Sequence, residues 1–316
     1  MYSNSNAIYR AELAGHVFET EGWEKNLIGT LALPVVEVAL PEGQYPKFQK
    51  QQGQLLKTEV KARAPYSGFA RGTSSFVQDT YTCLEYGYEQ AVDDTIRLKN
   101  ATFFDSEVIA TRLARRKLLL AHELRAAAVL FNATTFTSTN SGTAYTTANI
   151  ATFDVGNDVD DAKDRLISKG ETANTVVIPY QVATRLRAST KFQNRARGAG
   201  VSSDSILNLD ASAMADVFGV DRVLIGRAAY DGAGEGIAFS SSLIWSNSYI
   251  WVGNVGSGLL DGGAAYTLNW SQYGTVLNVE TYRDEPIKSD IVRAAHSTAE
   301  KVVNSAAGEI IATQYA

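Results

Sequence analysis

The chain has 316 residues, 45% apolar, 20% charged and 10% aromatic, with a formal net charge of −5. That is the composition of a folded protein with one large domain or two to three smaller ones, and it excludes wholesale disorder, collagen and coiled coil. The acidic balance argues against a generally basic nucleic-acid binder, while a single cysteine, Cys83, rules out an internal disulfide framework and a zinc site of several thiolates.

The opening residues 1–6 lack the basic-then-apolar layout of a signal peptide, and the apolar run 27–40 is interrupted by Pro34 and Glu37 and too short to cross a bilayer. No membrane partner is expected, and a reduced Cys83 is expected as a small half-buried strand residue. Residues 1–40 read as an extended arm, with short strands around Leu31, Leu33, Val36, Val38 and Leu40. The stretch from Pro41 to Asp79 is rich in Pro and Gly and basic: Lys47, Lys50, Lys57, Lys61, Arg63 and Arg71 face only Glu42, Glu59 and Asp79. Alternation over 55–60 and 69–77 predicts the two strands of a long hairpin. With too few apolar residues for a core of its own, this segment is expected to project and to lie on a neighbouring subunit.

A helix is predicted from Ser106 to Asn132, with Asp105 or Ser106 as N-cap and Glu107 in its first turn. Ile109, Leu113, Leu120, Leu124, Ala128 and Phe131 mark its apolar face; Arg112, Arg115, Arg116, Lys117 and Arg125 mark the other. At 1.5 Å per residue it reaches roughly 40 Å, the length of a strut. From Thr152 to Trp270 the pattern alternates between helix and strand. Helices are expected at 157–169, from Pro179 toward Thr190, and at 210–218 between Asp210 and Gly219. Strands are expected at 175–178, 221–225, 236–239, 249–252, 266–270 and 275–282, and the segment 291–313 returns to pair with earlier strands. The result is a discontinuous domain whose two ends meet around an inserted α/β unit.

Catalytic signatures do not materialise. The dipeptide Gly-Lys of a phosphate loop never occurs, Gly232-Ala-Gly234-Glu-Gly236 lies between two strands where a dinucleotide turn leads into a helix, and there is no Gly-x-Ser-x-Gly elbow. His122-Glu123 opens like a zinc-protease helix, but Ala126 stands where the second histidine is needed. The acids Asp154, Asp158, Asp160, Asp161 and Asp164 fail the calcium-loop pattern at Lys163 and Lys169 and read as acids at a helix N-terminus. No catalytic residue, metal or cofactor is expected. A second basic cluster, Arg185, Arg187, Lys191, Arg195 and Arg197, contains no acid, and either it or the helix arginines could face phosphates.

The order of parts carries a resemblance: arm, basic hairpin, long Arg-rich helix, inserted α/β domain, closing strands. Local pieces agree with it, namely Ala91-Val92-Asp93-Asp94 with Asn100-Ala-Thr-Phe-Phe-Asp, residues 109–136 with Arg115-Arg116-Lys117, and Asn174-Thr-Val-Val-Ile-Pro-Tyr with Leu186-Arg-Ala-Ser-Thr-Lys-Phe. Val223-Leu-Ile-Gly-Arg-Ala and Ile244-Trp-Ser-Asn-Ser-Tyr-Ile-Trp-Val complete the set. The chain resembles the major capsid protein of tailed bacteriophages, an α+β, HK97-type fold. The resemblance implies an N-terminal arm (1–40), an extended loop (E-loop, 41–85), a peripheral domain (86–154) with spine helix 106–132, an axial domain (155–272) and peripheral return strands (273–316).

It also implies a shell of hexamers and pentamers around double-stranded DNA held by non-specific contact. Portal and separate scaffolding or decoration proteins would be partners, with assembly in the host cytoplasm and residence in the virion. Loop residues Lys57, Lys61, Arg63, Phe69 and Arg71 would touch the neighbouring subunit. An encapsulin-like shell around protein cargo shares the fold and competes most directly with a phage head. A DNA-binding structural protein and an α/β enzyme stand further off, the enzyme for want of any nucleophile or metal signature.

Overall fold

The computed structural model describes residues 8–9, 24–47, 56, 58, 60–69, 71, 77–100, 105–200, 209–234, 236–259, 261–274 and 277–315, and two large sheets organise them. In chain order the strands are β1 (Ile8–Tyr9), β2 (Val35–Val38), β3 (Glu42–Lys47), β4 (Val77–Thr82), β5 (Leu84–Asp93), β6 (Thr137–Asn140), β7 (Thr175–Pro179) and β8 (Arg222–Gly226). They continue with β9 (Ala229–Asp231), β10 (Ser241–Leu243), β11 (Tyr249–Gly253), β12 (Ala265–Trp270), β13 (Asn278–Asp284), β14 (Ser289–Val302) and β15 (Gly308–Ala312). The α-helices are α1 (Gly29–Ala32), α2 (Asp94–Asn100), α3 (Ser106–Leu130), α4 (Val155–Ser168), α5 (Tyr180–Ala188), α6 (Thr190–Gly198) and α7 (Ala211–Phe218).

The first sheet is built on β14. One of its edges pairs antiparallel with β5 from Ser289↔Asp93 to Thr298↔Leu84, while the other carries β13 over 289–295 and β12 over 298–302. β2 then joins β12 in parallel, and β1 closes the far side on β13. The second sheet runs β6-β15-β11-β7-β8; β15, β11, β7 and β8 are buried on both faces, while the edge strand β6 is mostly exposed. Alternate side chains enter two cores. Val176, Ile178, Val223, Ile225, Ile250, Val252 and Ile311 pack under helices α4 to α7, whereas Val177, Leu224, Trp251 and Ile310 face the C-terminal half of α3. The chain exchanges sheets three times, from β5 to β6, from β11 back to β12, and from β14 to β15.

Local signals account for several boundaries. Asp154 caps α4 through the Asn157 N–H at 3.1 Å, and Asp210 caps α7 through Ala213 at 2.9 Å. Gly219 ends α7 at φ +63°, a left-handed position that disfavours a side chain.

The long helix departs from the expected face. Its buried residues include Ala110, Ala114, Leu118, His122, Ala126 and Leu130, a step of four, while Ile109 and Leu113 are exposed. Each step of four turns the stripe about 40° around the axis. The N-terminal half therefore meets β5, β13 and β14 through Val92, Val279, Val292 and Ala294, and the C-terminal half meets α1 and Trp245. Small residues on that stripe admit close approach, which an apolarity count overlooks.

Three strand expectations also change. Leu31 lies in α1, because Glu123 of α3 accepts the N–H groups of Ile28 (2.9 Å) and Gly29 (2.6 Å) and so starts a helical turn. A Cβ on Gly29 would fall 2.6 Å from that carboxylate, so only glycine fits. Of the hairpin strands expected at 55–60 and 69–77, residues 55, 57, 59, 70 and 72–76 lie outside the described residues, 56, 58, 60, 69 and 71 carry no strand, and Val77 begins β4. The described hairpin is β3 with β4, from Glu42↔Thr82 to Lys47↔Val77, held by Tyr45 and Tyr81 against the first sheet. Residues 236–239 form no strand, since Asp231 accepts from Ala233 and Ser240, both at 3.0 Å, and limits that hairpin to β9 and β10. Residues 275–276 of a further expected strand lie outside the described residues.

Candidate subunit-contact surfaces

The loop beyond β3 and β4 presents its side chains outward. Every described residue from 60 to 69 is exposed, as is Arg71; Lys57 lies outside the described residues. Ala64–Ser67 close a turn through Ser67 N–H to Ala64 O at 3.1 Å, with Pro65 second and Tyr66 third at φ +68°. That is the type II arrangement, in which the third position favours glycine. Arg63 braces the turn by donating to Ser67 O at 3.2 Å and lying 5.2 Å over the Phe69 ring. Lys61 and Arg71 extend beside it, exposed.

The helix arginines do not act as one surface. Arg112 and Arg116 are exposed, but Arg115 is largely covered and pairs with Glu24 at 3.0 Å. Arg125 turns inward. Its Nε donates to Glu300 at 3.0 Å, its Nη2 reaches Thr298 Oγ1 at 3.2 Å and His296 Nε2 at 3.0 Å, and its plane lies 3.7 Å from the Tyr86 centroid. His122 sits beside this group, 3.1 Å from Thr267 Oγ1 and 3.7 Å from Glu300. Burial pushes the His122 pKa down to about 4, helped by Arg125 and opposed by Glu300. The ring is therefore neutral near pH 7. The expectation that Arg115 and Arg125 share an outward basic face is corrected: covered carboxylates on other elements claim both.

The second basic cluster divides in the same way. Arg185 donates to Tyr145 O at 2.8 Å and stacks 3.7 Å over Tyr315; Arg195 binds Asp160 at 2.6 Å and Val217 O at 3.2 Å. Lys191 and Arg197 are exposed, Arg197 within 3.4 Å of Asn194, and Arg187 is half-buried. The acids that invited a calcium reading have local duties. Asp158 accepts from Tyr145 Oη at 2.6 Å and from Gly142 N–H at 3.2 Å, while Asp160 holds Lys163 at 2.7 Å as well as Arg195. Among the described residues no group of three or more His, Cys, Asp or Glu side chains is placed to hold a metal.

Two glutamates that the sequence does not mark as fasteners hold the elements that carry these surfaces. Glu123, on the second position of the His122-Glu123 pair, accepts from Trp245 Nε1 at 2.7 Å in addition to the two N–H groups at α1. Burial raises its pKa, opposed by those three donors. Glu309 on β15 is fully buried and holds Arg165 at 2.6 Å and Lys169 at 2.7 Å. A glutamate inside a stripe of small residues was the available signal for Glu123; nothing local marks Glu309. Cys83 is more buried than expected and lies between β4 and β5, its Sγ 3.7 Å from Leu268 O, with burial raising its pKa.

A groove opens where β5, α2 and the first turns of α3 meet. Its cavity volume is about 210 Å³, and Val92, Asp93, Ile96, Ser106, Ile109 and Leu113 line it. Among the described residues no helix is long and apolar enough to cross a membrane.

No family model matches the sequence, and no curated protein matches it. Solved structures match over nearly the whole chain. A phage-related protein of Bordetella bronchiseptica RB50 is 19% identical with a TM-score of 0.72, and the match covers 97% of each chain. The capsid of cyanophage P-SCSP1u is 13% identical with a TM-score of 0.60, over 89% of this chain and 86% of that one. A virus-like particle from Pyrococcus furiosus is 11% identical with a TM-score of 0.53, over 96% of each. At these identities the likeness is one of fold, and the fold is that of a viral shell protein. More particularly, it is the fold of the phage major capsid protein.

Proposed function

We propose that the chain is a major capsid protein whose copies form hexamers and pentamers and close into an icosahedral phage head around double-stranded DNA. The observation that carries this reading is the match over 97% of both chains to a phage-related protein, joined by the 89% match to a cyanophage capsid. The exposed loop supports it: a segment with no core of its own gains stability by burying surface on a second subunit.

In this reading residues 1–40 are the arm, 41–85 the E-loop, 86–154 and 273–316 the peripheral domain with α3 as its spine, and 155–272 the axial domain. Lys61, Arg63 and Arg71, with Lys57, meet acidic surface on the adjacent copy. Arg112, Arg116, Lys191 and Arg197 are exposed and make the non-specific phosphate contacts. Portal and separate scaffolding or decoration proteins complete the particle, which assembles in the host cytoplasm and forms the virion. No chemistry is asked of the chain.

Negative-stain microscopy of the purified protein tests the proposal. Uniform hollow shells or ring-shaped capsomers are expected; a monomer at every concentration overturns it. A shell around protein cargo is the second reading; the match to a virus-like particle over 96% of each chain supports a shell of this fold other than a phage head. Mass spectrometry and nucleic-acid assay of the shell contents separate the two.

A further inference from the structure

The Pro65-Tyr66 turn and the groove between β5, α2 and α3 have complementary deficits. Tyr66 is fully exposed at 104% of its reference area, on a left-handed backbone that a tyrosine rarely adopts. Val60 and Phe69 beside it are exposed as well. A large aromatic held outward by a braced turn is an anchor without a pocket.

The groove is a pocket without an anchor. Ile96, Ile109 and Leu113 leave apolar surface open, with Leu113 44% exposed on the helix that should bury such residues. At about 210 Å³ it falls below the roughly 300–1,000 Å³ of small-molecule sites and suits an inserted side chain. Ser106 at its lining is 9% exposed, and its Oγ is buried with no hydrogen-bond partner. A buried hydroxyl without a partner is uncommon in native proteins, and a phenol oxygen is the kind of group that completes it.

Charge agrees with the match. The turn segment carries Lys57, Lys61, Arg63 and Arg71 against a single acid, Glu59. Asp93 lines the groove, and Asp105 and Glu107 flank Ser106. Of the cations on these elements, Arg97 is engaged by Asp94 at 3.6 Å, Glu107 at 3.6 Å and Asp290 at 2.7 Å, while Lys99 and Arg112 are exposed on α2 and α3.

The geometry points to Tyr66 of one copy entering the Ile96–Ile109–Leu113 groove of a second copy, with its hydroxyl hydrogen-bonded to Ser106 Oγ and Arg63 and Lys61 against the acidic rim. This pairing rests on the shell reading above and names the two surfaces that would join its subunits. Tyr66 lies on an exposed turn and Leu113 on an exposed helix position, so substitutions at either leave the subunit's own core intact.

The test uses the full chain. Tyr66→Cys protein and Leu113→Cys protein are mixed, assembled and oxidised; the native thiol, Cys83, is buried. A covalent dimer that requires both substitutions is expected. Tyr66→Ala should raise the concentration for half-assembly by about tenfold or more. Tyr66→Phe and Ser106→Ala, which each remove one side of the same hydrogen bond, should each raise it by a smaller factor, Ser106→Ala by the larger of the two because it buries a phenol hydroxyl without a partner.

Shells that form without the mixed dimer overturn the pairing, as does Tyr66→Ala assembling at the wild-type concentration. So does a doubly substituted chain that closes only within itself. A wild-type protein that forms no shells or capsomers overturns the shell reading and removes the pairing with it.

Discussion

Glu123 on α3 accepts the indole N–H of Trp245 at 2.7 Å, and the same carboxylate begins α1. One buried side chain thus ties the segment before β2, the long helix and the corner between β10 and β11. Glu123→Ala removes the acceptor from three buried donors, and unfolding in urea should show a loss of about 3 kcal/mol or more. Glu123→Gln keeps one acceptor oxygen and should lose roughly half as much. Equal midpoints for all three proteins would show that the contact holds nothing in place.

His122 makes stability depend on acidity. The unfolded chain takes up a proton on this ring near pH 6.5 and the folded chain only near 4, so in between protons favour the unfolded state. The contribution is complete above about pH 6.5 and is lost as the pH falls toward 4, by up to about 3 kcal/mol. Urea midpoints for the wild type and His122→Gln at a series of pH values should show a steeper decline for the wild type across that window. Parallel declines would remove His122 from the account.

Arg125→Ala strands Glu300 in a covered site, a change worth about 3–5 kcal/mol in comparable buried pairs. Arg125→Met combined with Glu300→Met should recover much of that loss, because the cost lies in the carboxylate left behind. Arg125→Lys keeps the charge but loses the planar stack on Tyr86 and should fall between. Denaturant titration of the set checks the order.

Within the second basic cluster, Arg195→Ala should lower stability by about 1–2 kcal/mol by removing the bonds to Asp160 and Val217 O. Lys191→Ala, at an exposed site four residues away, should stay within about 0.5 kcal/mol. Thermal melts compare them directly, and equal melting temperatures would show that Arg195 is as idle in the subunit as Lys191.

Legibility follows the range of the interactions. Asp154, Asp210 and Gly219 announce the ends of α4 and α7 because caps act over a few residues. β7, β8 and β11 are readable from short apolar runs. Leu31 misleads because its helix is imposed by a carboxylate 94 residues beyond Gly29. The contact face of α3 misleads because alanines and a histidine interrupt the leucines of its stripe, while Ile109 and Leu113 line the groove. The exposure and positive charge of the loop are visible in composition. The groove is not, since it exists only where β5, α2 and α3 converge.

The placement of β15 bears on how the chain is made. Among the described residues β6 pairs only with β15, and β15 separates it from β11, so the second sheet stays divided until residue 312 has been synthesised. Nor does the first sheet finish early, because β14 precedes β15 by a few residues and joins β5, β12 and β13. A nascent chain emerging from the ribosome therefore carries open strand edges in both sheets almost to the end of that span. Synthesis itself delays the moment at which a copy has the finished surface by which another copy could recognise it.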